Sequence, residues 1–349
     1  MMRSVFLQED LNILAETIHE LGFSGSKLLV TGATGLIGSL CVKAAVEHNR
    51  HYSEPVHVIA MVRSLEKARR IFADEMSENM VIPCVSFLEQ DVTEALPETL
   101  CCDYIIHTAN PTSSKFFITN PVEVIDSIYQ GTKRVLDHAV MHPLSGMIYL
   151  SSMEVFGRVD TDERRHESEL GYLDIYNVRS CYSEGKRHAE LLCKCYAAQH
   201  RVPVTVARLA QTFGAGIPAT ENRVFAQFAR SAVNGQDIVL HTRGQAVGNY
   251  CYTRDTVRAL FLLLKKGVAG EGYNVVNEET TRTIAEMAEL VAEKFSGGRS
   301  RVVFDIPEEN TFGYAPDTKL HLSAEKLNSL GWKAEVGLEE MYRRMLPEL

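Results

Sequence analysis

Residues 27–40 read KLLVTGATGLIGSL, an apolar run that passes through Gly32, Gly35 and Gly38 into a second apolar stretch. A chain that leaves a buried strand and turns at once into a helix needs residues without a β-carbon. The exposed amides at the helix start then attract a pyrophosphate. An ordinary glycine-containing turn would carry the same residues. What separates the two is position, because this turn follows the first strand of an alternating series.

Outward from the turn, strand-like segments recur between helix-like ones: VHVIAMV at 56–62, VSFLEQ at 85–90, YIIHTA at 104–109, MIYLSS at 147–152 and VTVARL at 204–209. Such alternation predicts a parallel sheet with helices on both faces. Upstream, Leu7, Leu11, Leu14, Ile18 and Leu21 are spaced for one helix face that ends near Gly22. This predicts a helical extension over 1–26, packed outside the main domain. Past residue 210 the pattern loosens through Gly214, Gly216 and Pro218 before a helical RVFAQFARSAV at 223–233. The expected architecture is α/β: a doubly wound parallel (Rossmann) sheet over 27–209 that carries the catalytic residues. Residues 210–349 form mainly a smaller substrate-binding lobe, with some segments returning to the sheet.

A chain of 349 residues, 45% of them hydrophobic, is long enough for a large core without disulfide or metal staples. A formal charge of −9 leaves no basic field for a nucleic-acid backbone. The eight cysteines form no CxxC pair and no Cys/His spacing of the metal-site kind, so no metal is expected and the thiols read as reduced. The longest apolar run, ALFLLL at 259–264, is too short to span a bilayer, and Glu9 and Asp10 stand where a signal peptide needs an apolar core. A soluble cytoplasmic protein with neither nucleic-acid nor membrane partners is expected.

The second strand ends AMVRS, placing Arg63 and Ser64 where an acid would hold the adenosine ribose of NAD. Arginine there suits the 2′-phosphate of NADP, or stacks on adenine. Asp91 and Val92, closing the third strand, are candidates to bond and pack on the adenine, against the alternative of a plain strand-end aspartate. In RSCYSEGKRHAELL, Tyr182 and Lys186 lie at i and i+4, on one face of a helix. A phenol titrates near pH ~10, so it exchanges protons at neutral pH only if a cation favours the phenolate. Lys186 is placed to supply that cation. Ser152 stands at the carboxyl end of the preceding strand, the edge of a parallel sheet where ligands bind, and can share an alcohol proton with Tyr182. Taken alone, each has a bland reading: a structural tyrosine, a solvated lysine, a capping serine. Together with the glycine turn they point to hydride transfer between an alcohol and NAD(P).

Over roughly residues 27–340 these motifs resemble the extended short-chain dehydrogenase/reductase (NAD-dependent epimerase/dehydratase) family of nucleotide-sugar enzymes. The matching residues are TGATGLIG, Ser152 with YSEGK, and ARLAQTFGAG at 207–216. Within it, HTANPTSSKFFITNP at 107–121, RSCYSEGKRHAE at 179–190, NRVFAQF at 222–228 and LGW at 330–332 are most similar to UDP-glucuronate decarboxylases. The resemblance implies oxidation of carbon 4 of a nucleotide sugar, a UDP-sugar, by bound NAD(P), and a homodimer paired through the helices after the fourth and fifth strands. It implies further that Thr34, Gly35, Leu36 and Ile37 line the pyrophosphate and that Thr108 and Ala109 face the nicotinamide. Gln211 and Arg223 would hold the substrate diphosphate, and Pro111, Ser152 and Arg179 would also touch substrate. Two positions depart from the pattern. Gly248 falls where many such enzymes carry an arginine, and Gln211 replaces an asparagine; Arg243 and Arg254 are candidates to compensate.

The reaction turns on LSSMEVFG at 150–157. By resemblance a dehydratase places an acid before the glutamate, because one group must protonate the leaving hydroxyl while another takes the carbon 5 proton. Met153 cannot donate that proton. Decarboxylation asks for less, since a 4-keto sugar acid is a β-keto acid, and Glu154 is kept at the position that decarboxylases retain. Decarboxylation ranks first, 4-epimerisation second and 4,6-dehydration third. A cofactor-binding regulator without turnover would have no need of Ser152, Tyr182 and Lys186 together.

Overall fold

The computed structural model describes residues 4–76, 82–307 and 318–349. Among these, twelve strands occur: β1 (Lys27–Thr31), β2 (His57–Val62), β3 (Val85–Glu89), β4 (Tyr104–His107), β5 (Gly146–Ser152), β6 (Val204–Leu209), β7 (Gln211–Phe213), β8 (Ile238–Leu240), β9 (Val247–Tyr252), β10 (Gly272–Val275), β11 (Asn277–Thr283) and β12 (Val302–Phe304). Seven form one sheet in the order β10-β6-β5-β4-β1-β2-β3, parallel throughout. The five strands expected from alternation all lie in it. The seventh, β10, is a segment from beyond residue 210 that returns to pair with β6.

Why the sheet is covered on both faces is visible within β1. Leu28 and Val30 point into an apolar layer with Cys41 and Ala45 of α2 (Leu36–His51). Leu29, one residue out of phase, enters a second layer with Ile128 and Val135 of α5 (Pro121–Met141). The short helices α3 (Leu65–Ile71) and α4 (Ser114–Thr119) precede α5, and α6 (Ser180–His200) packs beside α5 on the same face. The smaller lobe combines the sheet β11-β9-β7 with the pair β12-β8. Its helices are α7 (Val224–Val233) and α9 (Ile284–Phe295), while α8 (Thr253–Lys266) lies between the lobe and the main sheet.

The first helix, α1 (Val5–Glu20), is more tightly built in than the expected outlying extension. Its Leu7, Leu11, Leu14 and Ile18 belong to the same apolar layer as β1 and α2, and the helix packs on α2 and α8. It also buries Asp10, whose carboxylate accepts from the Tyr252 hydroxyl and faces Arg254 at 3.4 Å and Arg344 at 3.3 Å. Burial pushes the Asp10 carboxyl up to about 6, against the pull of Tyr252 and the two guanidinium groups. Leu14 has no exposed surface. Leu14→Ala should therefore lower unfolding stability by ~2–5 kcal/mol in urea titrations. A loss under ~1 kcal/mol would show that α1 is only loosely docked.

Candidate active site

The order of the main sheet reverses between β1 and β4, and the loops leaving their carboxyl ends part there to form a crevice. Gly32 turns the first loop with φ +65, and a β-carbon on it would lie 2.7 Å from Thr108 Oγ1 and 2.8 Å from the Ala109 backbone. A β-carbon on Gly38 would meet the Gly32 carbonyl at 2.5 Å. Gly35 begins α2 in extended conformation with no side chain capping the helix. The amides around Leu36 and Ile37 are thus left to an anionic ligand, a cradle that fits a dinucleotide pyrophosphate. Thr34 lies within this same turn.

The second loop is pinned to the first. Thr108 Oγ1 donates to the carbonyl oxygen of Thr31 at 2.8 Å, and the Ala109 amide donates to Thr31 Oγ1 at 3.3 Å. Beneath them His107, fully buried, sits 2.7 Å from Thr31 Oγ1 and 3.3 Å from Thr132. Burial, with the Lys186 charge, lowers its imidazole to about 3, so this histidine is a neutral strut. Just beyond, before the partly buried Pro111, both amide atoms of Asn110 are buried with no hydrogen-bond partner among the described residues. Such an amide is open to a ligand or a water.

At the outer end of the crevice Arg63 is exposed and close enough to act on Asp91. The Asp91 carboxylate accepts from the Thr93 amide at 2.9 Å and the Thr93 hydroxyl at 2.7 Å. Burial raises its pKa, but these bonds outweigh it and hold the carboxyl below its usual range. Val92 is buried against Gly131 of α5, where an added β-carbon would lie 2.7 Å from it.

Ser152 ends β5 beside Leu209 of β6, and its hydroxyl accepts from the Glu154 amide at 3.2 Å. Tyr182 and Lys186 occupy successive turns at the start of α6. The Tyr182 ring stacks on Phe117 of α4, 4.3 Å between centroids and 11° from parallel. Lys186 donates to the Leu150 carbonyl at 2.6 Å, and its Nζ lies 4.7 Å from the centre of the Tyr149 ring.

Electrostatically the pair differs from the expectation that Lys186 draws the phenol down. Burial raises the Tyr182 hydroxyl, reinforced by the nearby Glu154 carboxylate. The Ser152 hydroxyl, Arg223 and Arg179 pull the other way. Burial also lowers the Lys186 ammonium to about 7, although Glu190 supports its charge.

Glu154 and Arg179, 25 residues apart, meet here. Arg179 Nη1 donates to Glu154 Oε2 at 2.9 Å, and Ser183 Oγ donates to the same oxygen at 3.2 Å. Met153, between Ser152 and Glu154, is partly buried against the apolar core. Across the crevice Gln211 opens β7, its Oε1 buried and unpartnered among the described residues. Arg223 precedes α7 and grips Glu221 with Nε and Nη2, at 3.0 and 2.7 Å. Arg254 does not reach toward Gly248: it is buried with Asp10, Asp255 and Glu335. Arg243 is exposed on the loop before β9.

The model of the NAD dependent epimerase/dehydratase family matches residues 28–277. The chain belongs to that family. Its fold is shared with a UDP-glucose 4-epimerase from Thermotoga maritima holding UDP-glucose, at TM-score 0.75 and 22% identity over 92% of this chain and 98% of that one. A UDP-glucuronic acid 4-epimerase from Bacillus cereus, in complex with UDP-glucuronic acid and NAD, gives TM-score 0.74 at 20% identity over 92% and 98%. In sequence the chain is 29% identical to UDP-glucuronic acid decarboxylase 6 of Arabidopsis thaliana, over 91% of this chain and 87% of the relative.

Sequence reasoning missed Asn110, Phe117 and Ser183. The first two lie within the HTANPTSSKFF segment and Ser183 within YSEGK, but nothing in their spacing marks what they touch. The buried Lys186 yields a pH test. The folded protein holds this proton less tightly than the unfolded chain, so folding should gain stability as pH rises from about 7 toward the usual lysine range. In the cofactor-free protein the stability of wild type relative to Lys186→Met should therefore climb between pH 7 and 10. A difference that stays constant by denaturant titration would contradict it.

Proposed function

We propose that this family member oxidises carbon 4 of a UDP-linked sugar acid and decarboxylates the resulting 4-keto acid. The observation that carries this reading is the composition of the post-serine turn: Met153, which carries no acid and lies partly buried against the core, beside a Glu154 held by Arg179 and Ser183. Eliminating water would need a proton donor at 153; loss of carbon dioxide from a β-keto acid does not. The similarity to a UDP-glucuronic acid decarboxylase over 91% of this chain supports the same choice.

A bound nicotinamide supplies the acceptor for the hydride of carbon 4. Gly32, Thr34, Gly35, Leu36, Ile37 and Gly38 would hold the cofactor's pyrophosphate, with Arg63, Asp91 and Val92 at its adenosine end and Thr108 and Ala109 on the nicotinamide side. Tyr182 must first give up its own proton, against the burial that favours the phenol; as phenolate, its charge countered by the Lys186 ammonium, it takes the carbon 4 hydroxyl proton as the hydride leaves, with Ser152 sharing that proton. The protonated phenol then hydrogen-bonds the ketone oxygen as carbon dioxide leaves, so that the electron pair of the broken bond is received as an enolate. Glu154 lies beside this group and serves the proton returned to carbon 5. Asn110, Pro111, Arg179, Gln211 and Arg223 border the sugar and diphosphate. Pairing into a homodimer would use α5 and α6, which leave Val122, Ile125 and Leu191 exposed.

The second reading is a 4-epimerase, favoured by the likeness to a UDP-glucuronic acid 4-epimerase. Incubation with UDP-glucuronate, UDP-glucose, UDP-galactose and dTDP-glucose separates the two by mass spectrometry and NMR. Release of carbon dioxide is expected with UDP-glucuronate. An isomer of unchanged mass would replace decarboxylation by epimerisation. Tyr182→Phe should cut turnover ~10²–10⁴-fold while cofactor stays bound, and retained activity would remove Tyr182 from the acid/base role. If Arg63 reads a 2′-phosphate, Arg63→Asp should move preference from NADP toward NAD; an unchanged ratio of kcat/KM values would assign Arg63 elsewhere.

A further inference from the structure

We propose that Arg282 supplies the cation for the substrate's diphosphate, reaching over Gly248 from the neighbouring strand. The inference rests on the nucleotide-sugar reading above and adds a residue that no motif marks. In the antiparallel pair of β9 and β11, Arg282 stands directly opposite Gly248. Opposed residues in such a pair project to the same face, their β-carbons ~4.5–5.5 Å apart. Gly248 contributes no side chain, and a β-carbon built on it would meet nothing within 4 Å. The space over this strand is open to the long side chain beside it.

That face borders the crevice. Gln211 pairs with Tyr250, two residues along β9 from Gly248 and on the same side of the strand. Its buried amide oxygen has no partner among the described residues. Gln211 in turn follows Leu209 by two residues, and Leu209 pairs with Ser152. Gly248 and Arg282 therefore share a face of the small sheet with Gln211, whose chain neighbour two residues back pairs with the catalytic serine.

Among the described residues neither Arg282 nor Arg243 is matched by an acid, and of the two Arg282 is the one that stands opposite Gly248. Arg179 is matched by Glu154, Arg223 by Glu221, and Arg254 by Asp10, Asp255 and Glu335. Arg282 is exposed, and its Nη1 donates to the neutral carbonyl of Thr281 at 2.6 Å. Among the described residues no carboxylate forms an ion pair with it. Glu286 is close enough to be influenced by it, but Glu286 Oε2 accepts from the Thr283 amide at 2.7 Å in the cap of α9. A flexible guanidinium without an acid, poised at the rim of a cleft, suits a diphosphate, which it can bind through two parallel hydrogen bonds.

Titration calorimetry on the cofactor-loaded protein, with UDP, uridine and inorganic pyrophosphate as probes, tests this directly. Arg282→Ala should weaken UDP and pyrophosphate binding about 10- to 100-fold and leave uridine unchanged. Arg243→Ala should bind all three as wild type does. In turnover, Arg282→Ala should raise KM by a similar factor while kcat moves less than ~3-fold. Placing the guanidinium on the opposing strand, as Gly248→Arg in the Arg282→Ala background, should restore UDP affinity. Equal UDP binding by wild type and a folded Arg282→Ala variant would overturn the assignment, as would a loss seen in Arg243→Ala instead. Failure of every sugar donor to turn over while UDP still binds would retire the proposed reaction and leave Arg282 to be decided by binding alone.

Discussion

The crevice depends on one close approach, between the Gly32 turn and the residue that follows β4. The Thr108 hydroxyl donates to the Thr31 carbonyl across the gap where the sheet order reverses, at 2.8 Å. No β-carbon fits at Gly32 beneath it. Because the two loops are fastened at that point, they separate only beyond it, and the opening begins at a fixed place relative to Ser152 on the adjoining β5. The neutral His107 below continues the fastening from β1 and β4 to Thr132 of α5 without placing a charge in the core.

Residues whose meaning depends on local spacing were legible in the sequence. Glycines at intervals of three, a tyrosine one turn before a lysine, and alternating apolar runs each encode geometry that neighbours in the chain enforce. The main sheet accordingly contains every strand those runs predict. Less legible were relationships made across the fold. Glu154 and Arg179 are separated by a loop of irregular structure, and only the tertiary fold brings the carboxylate onto the guanidinium and the Ser183 hydroxyl. Arg254, a candidate for the substrate's anion from its position near Gly248, instead lies in the first turn of a buried helix and is held among three carboxylates. Periodicity also placed α1 correctly but not its depth, since a helix face shows that it must be covered and not by what.

The balance between Tyr182 and Lys186 follows the same division. Their i, i+4 spacing puts the side chains on one face, whereas the environment around them is a property of the packed layer. Burial opposes charge on both groups, raising one and lowering the other. The enclosed site thus disfavours phenolate and ammonium alike, and the ion-paired Glu154, Arg179 and Arg223 are less buried than either.

The buried Asp10 gives α1 a mechanical role. Through its apolar face the helix is part of the layer over α2, which carries the glycine turn, while its carboxylate is bonded to Tyr252 of β9, Arg254 of α8 and Arg344 near the carboxyl terminus. Hinging the small lobe away from the dinucleotide side would have to part a buried carboxylate from two guanidinium groups, at a cost of several kcal/mol. The first helix of the chain is thus a cross-brace that ties the small lobe to the helix carrying the glycine turn.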